Sequence, residues 1–555
     1  MPRDEIPGAH TEEVKREKPK QADMLIALAE DGELFHAPDG AGFADLPING
    51  HRETWAIRSK GFRRWLTRRF FEVTGGAASS EAFQSALAVI EAKALFDGAE
   101  RPVQVRVAGL GGKIYIDLAD SEWRVIEVDP HGWRLLTDPP VRFRRPTGML
   151  PLPVPRPGGS INQLRTLVNV ADERDFVAVV GWLLAALSPH GPYPVLVLSG
   201  EQGSAKSFMA ALLRGLVDPN IAPLRSLPRE DRDLFIAANN AHCIVFDNVS
   251  SLPQWLSDAL CRIATGGGFA TRQLYTDGDE ALFDAKRPIV LNGIEDFVTR
   301  ADLGDRGVFL RLEPIGEHRR RPEKEIWAAF EAVRPQIFGT LLDALAHGLR
   351  ELPNTRLDRM PRMADFAIWV AACEGALWPV GTFSKAYHQN RAEANETIIA
   401  SDAVALAVRS LMQKQRIWEG FVAELLPMLA EEAGPIQTRS KSWPTSPRAL
   451  SGRLRRAAPN LRRSSINIIF GKHRAKGTPI TIEADEGGAQ PSGSSSKSAA
   501  AELDDFRGDD RIIGPIFKPQ TVRGDPRNSA MHDADDGRDG RAPTLAGDEE
   551  AEWKF

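Results

Sequence analysis

Eight consecutive residues, Gly200-Glu201-Gln202-Gly203-Ser204-Ala205-Lys206-Ser207, have the types and spacing that cradle a polyphosphate. An apolar run, Val195 to Leu198, precedes them, and a helical pattern, Phe208 to Val217, follows. Strand, glycine loop and helix in that order aim the loop's N–H groups and the positive helix end at one point. Gly200, Gln202, Gly203, Ser204 and Ala205 would line the phosphates of ATP. Lys206 would reach the β- and γ-phosphates, and the Ser207 hydroxyl would ligate Mg²⁺. The other reading is an ordinary glycine-rich turn between strand and helix. Ala205 stands where such loops carry a second glycine. Alanine is unstrained there only at negative φ.

A phosphate loop alone does not separate a kinase from a transporter or a motor. Ala241 to Asn248 reads as a buried strand ending in an acid, Asp247. That carboxylate is placed to hold Mg²⁺, directly or through water, or else to cap the following turn. Lys286 to Asn292 is a second such strand, and Asn292 is either a turn former or a group that orients water near the γ-phosphate. A block from Leu260 to Tyr275 lies between them, and Asp302 to Arg306 follows. An arginine after the last core strand or turn can reach a neighbouring subunit's γ-phosphate, although most exposed arginines are simply solvated.

As an ordered set over residues 160–345, these segments resemble superfamily 3 helicases, the phage and poxvirus primase–helicase branch of AAA+ ATPases. The resemblance rests on the loop at 200–207, the strand ending at Asp247, Thr265-Gly-Gly-Gly268 with Arg272-Gln-Leu-Tyr275, the Asn292 strand and Arg306. It implies a ring-forming ATPase, a hexamer, that moves along single-stranded or forked DNA in the replication of phage or mobile-element DNA. It carries over Lys206 and Ser207 for phosphate and Mg²⁺, Asp247 for Mg²⁺, Asn292 as γ-phosphate sensor, and Arg306 as a finger acting in trans. Residues 55–158 resemble the segment that precedes the ATPase in such proteins.

Two departures bear on mechanism. The family's acidic strand often ends in two acids, and here Asn248 takes the second place, where it cannot accept a proton. Slow hydrolysis and help from another acid such as Asp258 both stay open. The tip of the family's DNA-gripping hairpin is usually basic. Here it reads Tyr275-Thr-Asp277-Gly278-Asp279-Glu280, and acids repel phosphate. Arg272, Lys286 and Arg287 lie nearby. These departures motivate a second reading, a nucleotide-binding switch or loader that assembles on DNA with little hydrolysis. A DNA-binding scaffold with a decayed ATPase fold is a third, which the retained Lys206, Ser207 and Asp247 disfavour.

Residues 433–482 contain no Asp or Glu. They do contain Arg448, Arg453, Arg455, Arg456, Arg462, Arg463, Lys472 and Arg474, among other basic residues. Trp418 to Leu429 and Ser446 to Ala458 read as helices, and Ile466–Phe470 with Thr478–Ile482 reads as a hairpin. Helices followed by a hairpin around a basic helix predict a winged-helix-like DNA-binding domain. The alternative is a solvated basic face. A second basic stretch, Arg58 to Arg69, interleaves with Trp55, Phe62, Trp65, Phe70 and Phe71. Aromatic residues at helical spacing there read more readily as core, with arginines on the wet face.

The elements that must position these residues predict an α/β protein with a P-loop core. Residues 1–28 read as disordered and 29–150 as an α+β domain. Residues 151–160 read as a Pro/Gly linker, 161–345 as the nucleotide core and 346–410 as a helical region. Residues 411–483 form the basic domain and 484–555 an acidic disordered tail, in which Arg511 to Phe517 is a candidate docking peptide. The 555 residues, 42% hydrophobic, suffice for several cores, and the net charge of −5 hides the uneven distribution of sign. Three cysteines fit no disulfide or metal pattern and read as buried thiols of a reducing compartment. With no signal-peptide core near Met1 and no apolar run long enough to span a bilayer, a cytoplasmic protein without a membrane partner is expected.

Overall fold

The computed structural model describes residues 20–485, except 268, 273–279, 284–285, 295–296, 299, 441–442 and 473–476. Arg474, the acidic hairpin tip, Arg511 to Phe517 and nearly all of both chain ends lie outside the described residues.

The chain opens with α1 (Gln21–Ala29), where the sequence reading extends disorder to residue 28. Leu25 and Ala29, one helical turn apart, are fully buried, and their burial makes the helix part of the fold. Strands β1 (Glu33–His36), β2 (Gly42–Ile48) and β3 (His51–Ala56) form an antiparallel meander. Helices α2 (Lys60–Thr74) and α3 (Ser80–Phe96) cover it, with Ser59 and Ser79 as their N-caps. Phe62, Leu66 and Phe70 are the buried face of α2. Several arginines of this region are neutralised on the wet side: Arg58 by Glu91, Arg68 by Glu72, Arg69 by Asp31.

A second antiparallel sheet follows, with β4 (Val103–Gln104) paired to β9 (Arg142–Phe143) beside it. Its strands are β5 (Val107–Leu110), β6 (Lys113–Asp117), β7 (Val125–Asp129) and β8 (Gly132–Leu136). The stretch read as a Pro/Gly linker is docked. Leu152 N–H donates to Leu118 O and Arg156 N–H to Pro335 O, both at 2.9 Å. Proline-stiffened extended chain can make such single backbone bonds. A Cβ on Gly159 would come within 2.4 Å of Gln336 O, so only glycine fits there.

Helices α4 (Asn162–Arg165) and α5 (Glu173–Ala186) lead to β10 (Val195–Gly200). Then come α6 (Lys206–Val217), α7 (Asp231–Asn239), β11 (Ile244–Phe246) and α8 (Gln254–Thr265). A hairpin, β12 (Phe269–Arg272) and β13 (Glu280–Phe283), precedes β14 (Ile289–Asn292), α9 (Ala301–Gly304) and β15 (Gly307–Leu312). The order β11-β14-β10-β15 is parallel throughout. Both faces are covered, as an all-parallel sheet requires. Leu196, Leu198, Val245, Val290, Val308 and Leu310 face one core, and Val195, Val197, Ile244, Phe246, Ile289 and Leu291 the other. Helices α10 (Glu323–Glu351), α11 (Ala364–Glu374) and α12 (Thr382–Ser401) join the first core through Phe338, Phe366 and Phe383. The boundary read at 345 thus falls inside α10.

Helix α13 (Ala403–Lys414) packs Val404, Val408 and Leu411 into a C-terminal core, so the boundary read at 410 also falls within a helix. Next come β16 (Ile417–Phe421), α14 (Val422–Thr438), α15 (Pro447–Arg463), β17 (Ile466–Phe470) and β18 (Pro479–Ala484). The three strands form one antiparallel sheet, order β16-β18-β17. Residues 418–421, read as helix, are strand. Trp418 sits opposite Ile482 and is buried, while Ile417 and Glu419 on either side are exposed. This alternation, set by the partner strand, overrides local propensity. Among the described residues, no helix is long and apolar enough to cross a membrane. The structure is mixed α/β, and Cys243, Cys261 and Cys373 are buried free thiols.

One buried carboxylate ties these layers together. Asp218, at the end of α6, accepts from Arg106 Nε at 3.1 Å and from the N–H groups of His242 (2.9 Å) and Cys243 (3.1 Å). Burial opposes its charge, but Arg106 and Arg214 hold the carboxyl below its ordinary value. His242 is buried as well, and burial pushes its ring down to about 4. Asp218→Asn leaves two buried guanidiniums without their counter-charge and is expected to cost about 3–5 kcal/mol of stability, measured by denaturant unfolding. Both groups have depressed folded values, so the unfolded chain binds more protons in acid. Stability should fall as pH drops from 6.5 toward 4, and His242→Gln should flatten that slope.

Candidate nucleotide site and basic face

The parallel register brings the strand ends to one level. Leu198 lies beside Asn292 and Phe246 beside Leu291, so Asp247 emerges next to Asn292. Helix α6 begins at Lys206, where β10 has just ended. Ser207 Oγ donates to Asp247 Oδ1 at 2.9 Å. Asn292 Nδ2 donates to Ser207 Oγ at 3.2 Å and also to Asp247 Oδ1. Four of the predicted residues therefore converge at the carboxyl ends of three strands and the start of one helix. A hydroxyl and a carboxylate side by side are hard oxygen donors of the kind Mg²⁺ takes.

Lys206 Nζ folds back into the loop and donates to Gly200 O at 2.9 Å and Glu201 O at 2.8 Å. Burial pushes its ammonium below the ordinary value, with Asp247 pulling the other way. Gly200 has φ +149, and a Cβ there would come within 2.3 Å of Leu312 O. Ala205 has φ +60 and ψ 31, so it occupies the left-handed conformation that its side chain resists. Asn248 is also left-handed, at φ +56, and its N–H donates to Asp247 Oδ1 at 3.0 Å. Asparagine tolerates that conformation better than most residues. The alternative acid, Asp258, is engaged with Arg300 at 3.0 Å.

Arg306 precedes β15, at the end of the sheet opposite the loop. Six strand residues separate the two levels, about 20 Å. Arg306 donates to Asp302 O at 3.0 Å and pairs with the Asp302 carboxylate. It does not face its own chain's loop.

Two contributors escape the sequence reading. Asn169 Nδ2 donates to Ser204 O at 3.0 Å and Glu313 O at 2.7 Å, pinning the loop from outside. A cavity of about 580 Å³ opens beside Gly203 and Ala205, lined by Val168, Phe208, Ile326 and the run Arg319-Arg320-Arg321. Arg320 Nη2 lies 3.5 Å from the point a Cβ on Gly203 would occupy. The triple arginine was the only hint in the sequence.

On α15, Leu450, Leu454, Ala457, Ala458 and Leu461 face inward. Arg448, Arg455, Arg456, Arg462 and Arg463 are exposed along the other side, and Lys472 is exposed beyond β17. Arg455 lies over the Phe470 ring at 4.2 Å, and Arg462 Nε donates to Asn467 at 3.3 Å. Arg453 is half-buried, 4.0 Å from Asp402. Arg463 is drawn to Asp305, with Nη2 2.8 Å from Oδ2.

Since Ala205 carries the strain that a glycine would not, Ala205→Gly should stabilise the fold by up to about 1 kcal/mol, because relief of left-handed strain outweighs the added chain entropy. Thermal unfolding of the two forms checks this; a lower midpoint for the glycine form contradicts it.

Among curated proteins none matches the chain. Solved structures of the NrS-1 C-terminal region are similar to it over 84% of this chain and 100% of theirs, one at 11% identity with a TM-score of 0.38. Another has 12% identity and a TM-score of 0.36, with the same coverage. Residues 161–391 match the family described as actinomycete integrative conjugative element replication protein, and residues 404–497 match its RepA C-terminal domain. Together these two models take in more than half of the chain and assign it to the replication proteins of a mobile element, with a role in DNA replication.

Proposed function

We propose that the protein is an ATP-dependent DNA motor of the superfamily 3 type, built on a P-loop core and acting in the replication of a mobile element. The observation that carries this reading is the meeting of Ser207, Asp247 and Asn292 beside the 200–207 loop. Lys206 would exchange its carbonyl partners for β- and γ-phosphate oxygens. Ser207 and Asp247 would hold magnesium, which when bound neutralises charge on those oxygens. Asn292 would sense the γ-phosphate. The base and ribose would occupy the cavity between Val168 and Phe208, with Arg320 over the phosphates.

The position of Arg306, a strand's length from its own loop, suits an arginine that serves a neighbouring subunit in a ring. In the basic domain the order α13, β16, α14, α15, β17, β18 supports a winged-helix reading, in which α15 would be the helix offered to DNA. Arg448, Arg455, Arg456 and Arg462 would meet phosphates and give a salt-dependent affinity. Asn248 in place of a second acid favours an alternative, a nucleotide-binding loader with little turnover.

ATP turnover by the purified chain, with and without forked DNA, tests the proposal. Hydrolysis that DNA stimulates and Lys206→Ala removes is the expected result. Tight ATP binding with no turnover above the Lys206→Ala background selects the loader. Absence of ATP binding rejects both.

A further inference from the structure

Helix α9 and the two residues after it carry an ion cluster that neither nucleotide nor DNA contact requires. Asp302 pairs with Arg306 and accepts from Arg362 Nη2 at 2.9 Å. Asp305, its side chain only 6% exposed, accepts from Arg463 Nη2 at 2.8 Å and, through a second bond, from Arg463 Nη1. Arg391 Nη2 approaches Asp305 Oδ1 at 3.3 Å and Arg362 Nη1 approaches Oδ2 at 3.4 Å. Arg362 therefore bridges the two acids. The four arginines come from four places: the start of β15, the loop before α11, helix α12 and the end of α15.

The distribution of exposure is uneven. Arg463 and Arg362 keep 38% and 44% of their side chains in solvent, whereas Arg306 keeps 17% and Arg391 15%. Arg463 also ends the stripe that includes Arg455, Arg456 and Arg462. Of the cluster's two exposed cations, it is the one carried by α15, where an arriving phosphate can compete for it. If it leaves, Asp305 loses its bidentate partner, and with it the bond that ties the end of α9 to α15. Asp302 and Arg306 lie on the same short segment as Asp305, so their pairing loses that anchor.

We propose that Asp305 is a positioning residue that couples DNA on α15 to the release of Arg306: without DNA the cluster holds Arg306 against Asp302, and with DNA the loss of Arg463 loosens that hold. The inference rests on the motor reading, in which Arg306 serves a neighbouring subunit's nucleotide.

The test measures kcat and KM for ATP in the full-length chain, with and without forked DNA, alongside DNA affinity by fluorescence anisotropy. DNA is expected to raise wild-type kcat at least about fivefold, the lower range of ordinary coupling. Arg463→Ala leaves Asp305 with Arg391 and Arg362, so the fold persists. It should raise the DNA-free kcat toward the stimulated value and bring the ratio near one, with KM unchanged. Arg463→Lys, which keeps a charge on Asp305, should restore part of the wild-type ratio. Asp305→Asn should act like Arg463→Ala. Wild-type stimulation that survives undiminished in Arg463→Ala and Asp305→Asn overturns the coupling and leaves the motor reading standing. A wild-type chain that hydrolyses no ATP overturns the motor reading, and the coupling with it.

Discussion

A single carboxylate sets where the candidate site can form. Asp218 closes the helix that begins at Lys206, and it accepts from the N–H groups of His242 and Cys243, which lead into the strand that ends before Asp247. Grip at these two far ends fixes the helix against the strand. At the near ends, Ser207 and Asp247 are then within hydrogen-bond distance. Arg106 extends the same grip to the antiparallel sheet of residues 107–136, by donating to Asp117 O and Leu150 O as well as to Asp218. Arg106 is fully buried and left-handed at φ +65, so both the desolvation of a charge and backbone strain are accepted at this point. Such a cluster makes the relative placement of three layers all-or-none, because no member can be left buried without its partners.

The parts of the fold legible in the sequence are those specified by short-range pattern. The β10 run, the Asp247 strand and the Asn292 strand could be placed because each is a short apolar stretch closed by a polar residue, which marks a buried parallel strand. The buried part of α5, Phe176 to Ala186, is legible as a continuous apolar run. What escaped depends on partners distant in sequence. Residues 418–421 look helical alone but pair with β18, whose partner residues lie 58 to 64 positions later. The Pro-rich stretch at 151–160 reads as a spacer, yet its backbone bonds to α10 and its glycine admits a helix carbonyl. Helix α1 is apolar but only nine residues long and directly follows a charged stretch of sequence, so it passes for the end of that stretch until Leu25 and Ala29 find their neighbours.

The site divides in the same way. Lys206, Ser207, Asp247 and Asn292 were legible because a cation, a hydroxyl, an acid and an amide at strand ends are chemical signals in themselves. Asn169 and Arg320 were not, since each reaches the loop from an element whose position only the folded chain defines. Of the arginines, residue type reveals charge but not its use. Arg448 and Arg456 are exposed on the outer face of α15, Arg453 lies near Asp402, and Arg463 is committed to Asp305. A count of basic residues therefore overstates the surface that α15 offers to a polyanion.

The amide at 248 has a structural reason that the sequence alone does not suggest. Asp247 Oδ1 already accepts from Ser207 Oγ, Asn292 Nδ2 and the N–H of residue 248 itself. The last of these bonds accompanies a left-handed turn at 248, which directs the chain away from the strand end. Asparagine is at home in that turn. An acid there would place a second negative charge beside a carboxylate whose donors are arranged around one. The chain thus holds Asp247 firmly at the expense of a neighbouring proton acceptor. The strained Ala205 makes the complementary choice on the other side, keeping a side chain where glycine would relax the turn. Both positions favour a rigid junction between loop and strand, so any turnover must draw its proton acceptor from outside residue 248.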